Sequence, residues 1–348
     1  MYGGGVWLTQ NKVLAGAYIN VVSAGKPSAT LGERGKVAIA LPLGAETAGT
    51  VVYITASEFF TTPEKLGTSV PETTIKTLTE VFKHGTECYI YDTFTSGEKA
   101  TVANICNALE PYEFNVLACY TSDKTEIDSY VSAVKNWRDT VGKKCVAVVY
   151  NAADPDYEGI INVVTTVNDE GADAHALVAW VAGAEAGCAV NASCQNMKYD
   201  GAYSVKAGYT KTELETFIEE GKFAFHIAYG SVRVLDDINS LVTTTADKGE
   251  DFKSNQTMRV CDQVANDIAL LFNTRYLGII PNDYAGRTNF WADIVKHHRD
   301  LETIRAIENF DPALVKVEQG NSKKSIVVTD YITPVNAMSQ LYMTVVVQ

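Results

Sequence analysis

Long apolar runs are missing from this chain of 348 residues. No window approaches the run of about eighteen apolar residues that indicates a membrane-spanning helix. The opening MYGGGVWLTQNK also lacks the basic and then apolar layout of a secretory signal. The sequence therefore predicts no stable insertion into a membrane, and it favours a protein made in the cytoplasm.

Positive charge is scarce as well. Lys and Arg number 29 against 42 Asp and Glu, which gives a formal net charge of −13. A general nucleic-acid binder needs clustered basic side chains for the phosphate backbone. The charge balance argues against a nucleic-acid partner and suits a basic partner surface or simple solubility.

Cysteine occurs in an odd number, and the seven residues are scattered through apolar segments. This distribution is typical of reduced, buried thiols rather than of a disulfide framework. The one close pair, Cys188 and Cys194, has five intervening residues and no nearby histidine pair. Zinc ligands are not spaced in this way.

Local motifs for catalysis are also missing. The Gly-Lys pairs at residues 25–26 and 142–143 are followed by Pro27 and Lys144, where a phosphate-binding loop needs Ser or Thr. No G-x-S-x-G elbow offers a serine nucleophile. The sequence thus predicts no catalytic residue, no metal site and no cofactor. An enzyme or a ligand-binding protein with a cleft in an α/β sheet remains the alternative, since such clefts need no local motif.

His297 and His298 are the one tempting metal pair. Neighbouring residues on a helix point about 100° apart, whereas ligands on one helix face are three or four residues apart. We therefore predict that Lys296–Arg299 is a solvated helix face.

Alternating helices and strands begin near residue 73. The segments TECYIYD, FNVLACY and KCVAVVYN are typical of buried strands, and apolar residues between them recur at helical spacing. This βα repeat predicts an open sheet with helices packed on it. The predicted class is mixed α/β and α+β: a central α/β sheet domain and a C-terminal α+β domain, with extended β arms at both termini.

Changes in pattern divide the chain into five parts. Near residue 209 overlapping capping boxes open a short helix, and KFAFHIAYGSVRVL then has the signature of a hairpin. Two longer helices follow before the terminal strands. The predicted parts are an N-terminal arm (1–24), a small β-rich region (25–72), an α/β domain (73–205), an α+β domain (206–324) and a C-terminal β arm (325–348).

The chain stops on LYMTVVVQ, residues 341–348, which has the composition of a strand. Residues 326–335 are an obvious partner within the chain. A ribbon of two strands is marginal in water, however, and it leaves an open row of backbone donors and acceptors. We expect another strand to cover that edge, and an ordinary sheet edge within one molecule is the alternative.

The C-terminal half carries a specific resemblance. The string RVLDDINSLVTTTADKGEDFKSNQTMRVCDQVANDIALLFNTRYLGIIPNDYAGRTNFWADIV, with the following IENFDPALVKVEQGNSKKSIVVTDYITPVNAMSQLYMTVVVQ, resembles the tail sheath proteins of contractile bacteriophages and phage-tail-like bacteriocins. The opening GAYINV and RGKVAIALPLG are also similar to that family. Here Ala15-Gly16-Ala17 stands where the family more usually has a proline and a glycine, a departure that touches the stiffness of the arm.

The resemblance implies a mechanical protein without enzymatic activity. Sheath subunits of this family form hexameric rings stacked helically around an inner tube, and the sheath contracts to drive the tube through a target cell envelope. The implied partners are further copies of the chain, the inner tail tube protein, and baseplate and tail terminator proteins. The implied location is a phage tail or bacteriocin particle, made in the host cytoplasm and extracellular after lysis.

Two sets of residues follow from this resemblance. Extended terminal arms would complete a shared β-sheet between subunits, and a breakable electrostatic contact would hold the tube. The predicted arm residues are Tyr18, Ile19, Val21, Val22, Ile326, Val328, Tyr331, Leu341, Tyr342, Met343, Val345 and Val347. The predicted tube contacts are Arg275, Arg287, Lys296 and Arg299.

Overall fold

A computed structural model describes residues 31–44, 47–67, 69–95 and 99–347. The predicted N-terminal arm residues Tyr18, Ile19, Val21 and Val22 lie outside the described residues.

A mixed sheet of seven strands forms the centre of the molecule, in the order β2-β3-β1-β4-β5-β6-β7. All neighbouring pairs are parallel except β2 and β3. The strands are β1 (Lys36–Leu41), β2 (Val51–Thr55), β3 (Glu87–Asp92), β4 (Val116–Ala118), β5 (Val146–Tyr150), β6 (Ile160–Val163) and β7 (Lys222–Phe223). This arrangement confirms the predicted open α/β sheet.

Helices cover both faces of this sheet, because its strands alternate apolar side chains between two cores. Val37 and Ile39 belong to one core with the second and fifth helices, while Ala38 belongs to the other with the third and fourth. The first six helices are α1 (Ala56–Thr61), α2 (Glu72–Val81), α3 (Val102–Leu109), α4 (Lys124–Asn136), α5 (Leu177–Gly187) and α6 (Lys211–Glu219).

The first two strands correct the predicted division of the chain. β1 lies at the middle of the sheet, hydrogen-bonded to β3 on one side and β4 on the other. Residues 36–55 are therefore an integral part of the α/β domain and not of a separate β-rich region. The predicted domain boundary at residue 205 would also divide the sheet. β7 lies beyond that boundary, yet it pairs with β6.

The C-terminal part is built on two long helices, and smaller cores join them to a hairpin. Thr210 and Glu213 form the predicted capping box at the start of α6. The predicted hairpin is also confirmed. The remaining elements are β8 (Phe225–Ala228), β9 (Ser231–Val234), α7 (Asn255–Leu271), α8 (Tyr284–Thr303), β10 (Lys316–Gln319) and β11 (Ile326–Thr329).

Two glycines let α5 approach α2 closely. A Cβ atom on Gly183 would lie 2.2 Å from the carbonyl oxygen of Val81, and one on Gly187 would lie 2.1 Å from that of His84. Real Cβ atoms do not come so near to a carbonyl oxygen, and backbone cannot swing aside as a long side chain can. Glycine at both positions is therefore a packing requirement, even though it weakens a helix interior.

Gly183→Ala should destabilise the fold by about 1–3 kcal/mol through overpacking, less the roughly 1 kcal/mol gain in helix propensity. Gly208→Ala is the matched control, because a Cβ there meets nothing within 4 Å. Urea denaturation of both variants would measure the difference. Equal stabilities would show that α2 and α5 can separate without cost.

Buried ion pairs fix α7 against the α/β domain. Arg138 donates from both terminal nitrogens to the two carboxylate oxygens of Asp262, at 2.6 and 2.9 Å. Arg259 is fully enclosed, with one terminal nitrogen 2.6 Å from Glu185 on α5 and 3.4 Å from Asp237. Its other terminal nitrogen donates to the Ala192 carbonyl at 2.6 Å. Bidentate and charge-assisted contacts of this kind define the orientation of a helix as well as its position.

The pKa values of the two carboxyl groups beside Arg259 are shifted in opposite directions. Burial and the neighbouring Asp237 raise the pKa of Glu185 well above its ordinary value. Burial also opposes the charge of Asp237, but the Arg259 guanidinium and several hydrogen bonds outweigh it, so the pKa of that carboxyl is lowered. Of the two carboxyl groups, Asp237 is therefore the one that keeps its negative charge down to the lower pH.

Glu185→Gln should become more stable relative to the natural protein as the pH rises from about 4.3, by at most about 1.4 kcal/mol per pH unit. The reason is that a raised pKa in the folded state means that the natural chain must retain a proton which the unfolded chain releases. Urea unfolding between pH 4 and 8 measures this slope.

Asp237→Asn is the matched comparison in the same pocket. It removes the anion that pairs with Arg259, so it should cost about 3–5 kcal/mol at pH 7. If the two amide variants behaved alike, the opposite pKa shifts assigned to Glu185 and Asp237 would be wrong.

Candidate assembly site

The C-terminal segment is anchored to the body as far as Ala337. The Val335 amide donates to the Ala306 carbonyl at 3.0 Å, and the Glu308 amide donates to the Thr333 carbonyl at 2.9 Å. Gln256 on α7 continues the attachment, since its side chain donates to Val335 and accepts from the Ala337 amide. The chain leaves the surface immediately after this clamp.

Beyond Ala337 the segment 338–347 is exposed and forms no helix or strand. Leu341 and Tyr342 are 84% and 87% exposed, and Val347 is 90% exposed. Within the described part of the chain, no strand pairs with this segment. A mostly apolar segment this exposed is unusual on the surface of a monomeric protein.

Residues 341–347 do not pair with residues 326–335, the candidate partner within the chain. β11 instead pairs antiparallel with β10, with Ile326 opposite Gln319 and Val328 opposite Val317. Ile326 and Val328 turn inward and pack against the apolar core between α7 and α8. Tyr331, just past the strand, is 59% exposed. The sequence pattern located β11 but could not identify the partner that it takes.

The hairpin formed by β10 and β11 has two strands in the described structure, and hence two edges. Trp291 on α8 donates from its indole nitrogen to the Val315 carbonyl at 3.0 Å, next to the start of β10. This contact and the inward side chains hold the hairpin on the body. It presents a fixed row of backbone groups at the surface.

The four predicted tube contacts share one region but differ in availability. Arg275 forms an ion pair with Asp293 at 2.9 Å, and Arg287 donates to the backbone and side chain of Asn282. Lys296 pairs with Asp300 at 2.9 Å, one turn along α8. Arg299 is exposed on the same helix. Arg275, Arg287 and Lys296 therefore have partners within the subunit, and Lys296 and Arg299 are the more exposed side chains of the set.

The predicted solvated face over Lys296–Arg299 is wrong at its two histidines. His297 and His298 are 1% and 0% exposed. Their ring nitrogens reach Asp267 on α7 and Asp330 beyond β11, at 2.9 and 2.6 Å. Neither carboxylate is near the histidines in sequence, so no local pattern could have indicated these pairs.

A cluster with metal-ligand chemistry does occur among the described residues. Glu185, Cys194 and Asp237 are buried with their ligand atoms within 4.8 Å of one another. The Arg259 guanidinium already provides a cation to the two carboxyl groups, so the site's charge is balanced by the protein itself. The Asp237 carboxylate also accepts from the Cys194 amide at 2.9 Å. The arrangement is that of a structural ion pair.

Membrane-spanning character was searched for in the described residues alone. No helix among them combines the length and the apolarity that crossing a bilayer requires.

Two family models match this chain. The phage tail sheath protein central domain matches residues 96–240, and the phage tail sheath C-terminal domain matches residues 247–348. The second match contains α7, α8, the β10–β11 hairpin and the exposed C-terminal segment.

Individual proteins of the same kind also match this chain. Phage-like element PBSX protein XkdK from Bacillus subtilis is 32% identical over 254 residues, which are 68% of this chain and 54% of that protein. The sheath tail protein from Desulfitobacterium hafniense has a TM-score of 0.76 at 24% identity, covering 93% of this chain and 98% of that one. The anti-feeding prophage helical sheath in its contracted state has a TM-score of 0.74 at 14% identity, covering 96% and 99%.

These likenesses differ in what they establish. The structural matches share the fold at low identity, and the chain spans about half the length of the Bacillus relative. The two domain models are consecutive and describe parts of one kind of protein. The chain belongs to the phage tail sheath protein family.

Proposed function

We propose that this chain is the structural subunit of a contractile tail sheath. It polymerises as stacked hexameric rings around an inner tube and contracts to drive the tube through a target cell envelope. The family membership supports this function, as does the fold shared with a helical sheath in its contracted state. The observation that carries the proposal is the exposed, unpaired apolar segment 338–347 beside a two-stranded hairpin.

Subunits join by adding strands to one another. Residues 341–347 alternate in the manner of a strand, with Leu341, Met343 and Val345 on one face and Tyr342 and Val346 on the other. Adding such a strand to a neighbour's sheet edge supplies a ladder of backbone hydrogen bonds, and its alternate side chains enter a shared core.

The β10–β11 hairpin is the receiving surface. A two-stranded ribbon gains stability when further strands complete it, and both of its edges are candidates for that addition. The N-terminal arm, with Tyr18, Ile19, Val21 and Val22, would contribute another strand to the same sheet. Ile326 and Val328 then serve as its inner face toward the body.

Contraction requires two lattices that differ in free energy. The arms keep each subunit connected while the bodies exchange one set of contacts for another, as in a rigid-body transition between two packed arrangements. The free energy released grows with the number of subunits. No nucleotide and no catalytic residue take part in this mechanism.

The other partners are the inner tube, the baseplate and the tail terminator. The tube contact lies on the α8 surface around Lys296 and Arg299, basic residues in a chain with net charge −13. An exposed charge contact is weakened by screening and can be broken during contraction. The protein resides in a phage tail or bacteriocin particle, released from the host cell on lysis.

Ending the chain at Gln340 should abolish the stacking of rings, because the donated strand is removed while every anchoring contact up to Ala337 remains. Val345→Pro is a second variant that removes one backbone donor from the strand, and Val345→Thr is its control. Electron microscopy of the purified proteins should show striated tubes only for the natural chain and Val345→Thr. Tubes formed equally by all four proteins would exclude strand donation.

Replacing Lys296 and Arg299 by Glu should weaken assembly on the tube without unfolding the subunit, because both side chains are exposed. Lys211→Glu with Lys206→Glu is a control with the same change of charge elsewhere on the surface. Co-sedimentation of each variant with purified inner tubes measures binding, and thermal denaturation verifies folding. Unchanged binding would remove the α8 surface from the tube contact.

A further inference from the structure

The two histidines of α8 lie in an unusual arrangement. The Nδ1 atoms of His297 and His298 are 3.1 Å apart, within hydrogen-bond distance of each other. The opposite nitrogen of each ring meets a carboxylate: His297 Nε2 lies 2.9 Å from Asp267, and His298 Nε2 lies 2.6 Å from Asp330. The four side chains form one continuous chain of hydrogen bonds.

The protons of this chain can be counted from its geometry. With Asp267 and Asp330 both ionised, each carboxylate only accepts hydrogen bonds, so both Nε2 atoms carry a hydrogen. Two Nδ1 atoms at 3.1 Å form a hydrogen bond only when one donates and the other accepts. One ring must therefore carry a hydrogen on both of its nitrogens, and the other ring must carry a hydrogen on one nitrogen only. The pair holds three ring hydrogens, one more than two neutral imidazoles have.

A pair with two or with four hydrogens on its ring nitrogens would not fit this geometry. With two ring hydrogens, two Nδ1 lone pairs would face each other in a site closed to water. With four, two N–H groups would point at each other and two imidazolium charges would be adjacent. Because the rings are buried, water cannot relieve either conflict.

This chain of hydrogen bonds connects Gly32, towards the N-terminus, and Asp330, towards the C-terminus, to helices α7 and α8. The Gly32 amide donates to Asp267 at 3.1 Å, and Asp267 also accepts from Gln263 at 2.8 Å. A Cβ on Gly32 would lie 2.6 Å from the Asp267 carboxylate, so glycine permits this approach. At the other end, Asp330 stands just after β11, where the C-terminal segment begins its course to the surface.

The groups that face the rings come from every neighbouring element. From α7 they are Asp267 and, through it, Gln263; from the C-terminal segment the group is Asp330. The loop after α8 contributes the Phe310 ring, 5.1 Å from His298. In the described residues, the ion pairs of Asp267 and Asp330 are with these histidines.

We infer that the His297–His298 pair is a buried binding site for one proton, which holds the segments at Gly32 and Asp330 to α7 and α8. Two carboxylates and one shared proton make the site a clasp between the bases of the two terminal segments. This inference concerns a single subunit and does not depend on the proposed assembly.

The clasp is strongest while the pair holds a single extra proton. Histidine is the side chain that ordinarily changes charge between pH 5 and 8. Acid adds a second extra proton and breaks the Nδ1 contact; base removes the shared one and breaks it too. The attachment of both segments should therefore pass through a maximum as the pH is varied.

Nitrogen-15 NMR of histidine-labelled, full-length protein counts the ring hydrogens directly. We expect three ring hydrogens on His297 and His298 at the pH of greatest stability, with one Nδ1 hydrogen that exchanges slowly with water. Two hydrogens on the pair would overturn the inference. A metal ion held between the Nδ1 atoms, visible as added mass in native mass spectrometry, would also overturn it.

Hydrogen exchange, corrected for its intrinsic pH dependence, tests the clasp itself. Protection of residues 31–35 and 330–337 should be greatest at one pH and fall about tenfold on either side, the loss expected for one such hydrogen bond. His297→Gln keeps a donor for Asp267 but has no nitrogen to share the proton, so its profile should be flat. His84→Gln, which removes a surface histidine paired with Asp200 at 3.2 Å, should keep the natural profile. A flat natural profile, or an unchanged one in His297→Gln, would contradict the clasp.

Discussion

Backbone groups at an open strand must find partners, and the C-terminal end of this chain has none within the described subunit. Residues 338–347 leave the body after Ala337 as an exposed, mostly apolar segment. In such a segment apolar side chains and unpaired backbone groups are both left in water, which the proposed strand exchange would relieve. The strand-exchange mechanism, the role of the hairpin and the connection of rings all depend on this constraint.

The body is built to resist the load that such a connection carries. Buried pairs such as Arg138–Asp262 and the Arg259 cluster attach α7 to the sheet domain, and α7 in turn holds the C-terminal segment through Gln256. Force applied to the donated strand would pass through this helix into the central sheet. Buried ion pairs add little net stability against an apolar alternative, but they specify orientation and are costly to separate.

Much of the fold was predictable from the sequence because its strands and helices have strong, local periodicities. The helices α3, α4 and α6 to α8 and the strands β3 to β5 follow the predicted segments. The order of strands in the sheet was not predictable, since β1 pairs with β3 and β4 through contacts that no local pattern encodes. For this reason residues 36–55 were assigned to a separate region. β10 was missed because a four-residue, largely exposed strand carries little apolar pattern.

The candidate site was likewise predictable from the sequence only in part. The exposed C-terminal strand was recognisable from its composition, whereas the burial of His297 and His298 depends on Asp267 and Asp330, which only the tertiary fold brings near. The most direct test of strand donation is a cryo-electron microscopy structure of the assembled particle in which the terminal chain can be traced. The account predicts residues 341–347 as a strand on the β10–β11 hairpin of a neighbouring subunit. Finding them folded against their own subunit would contradict it.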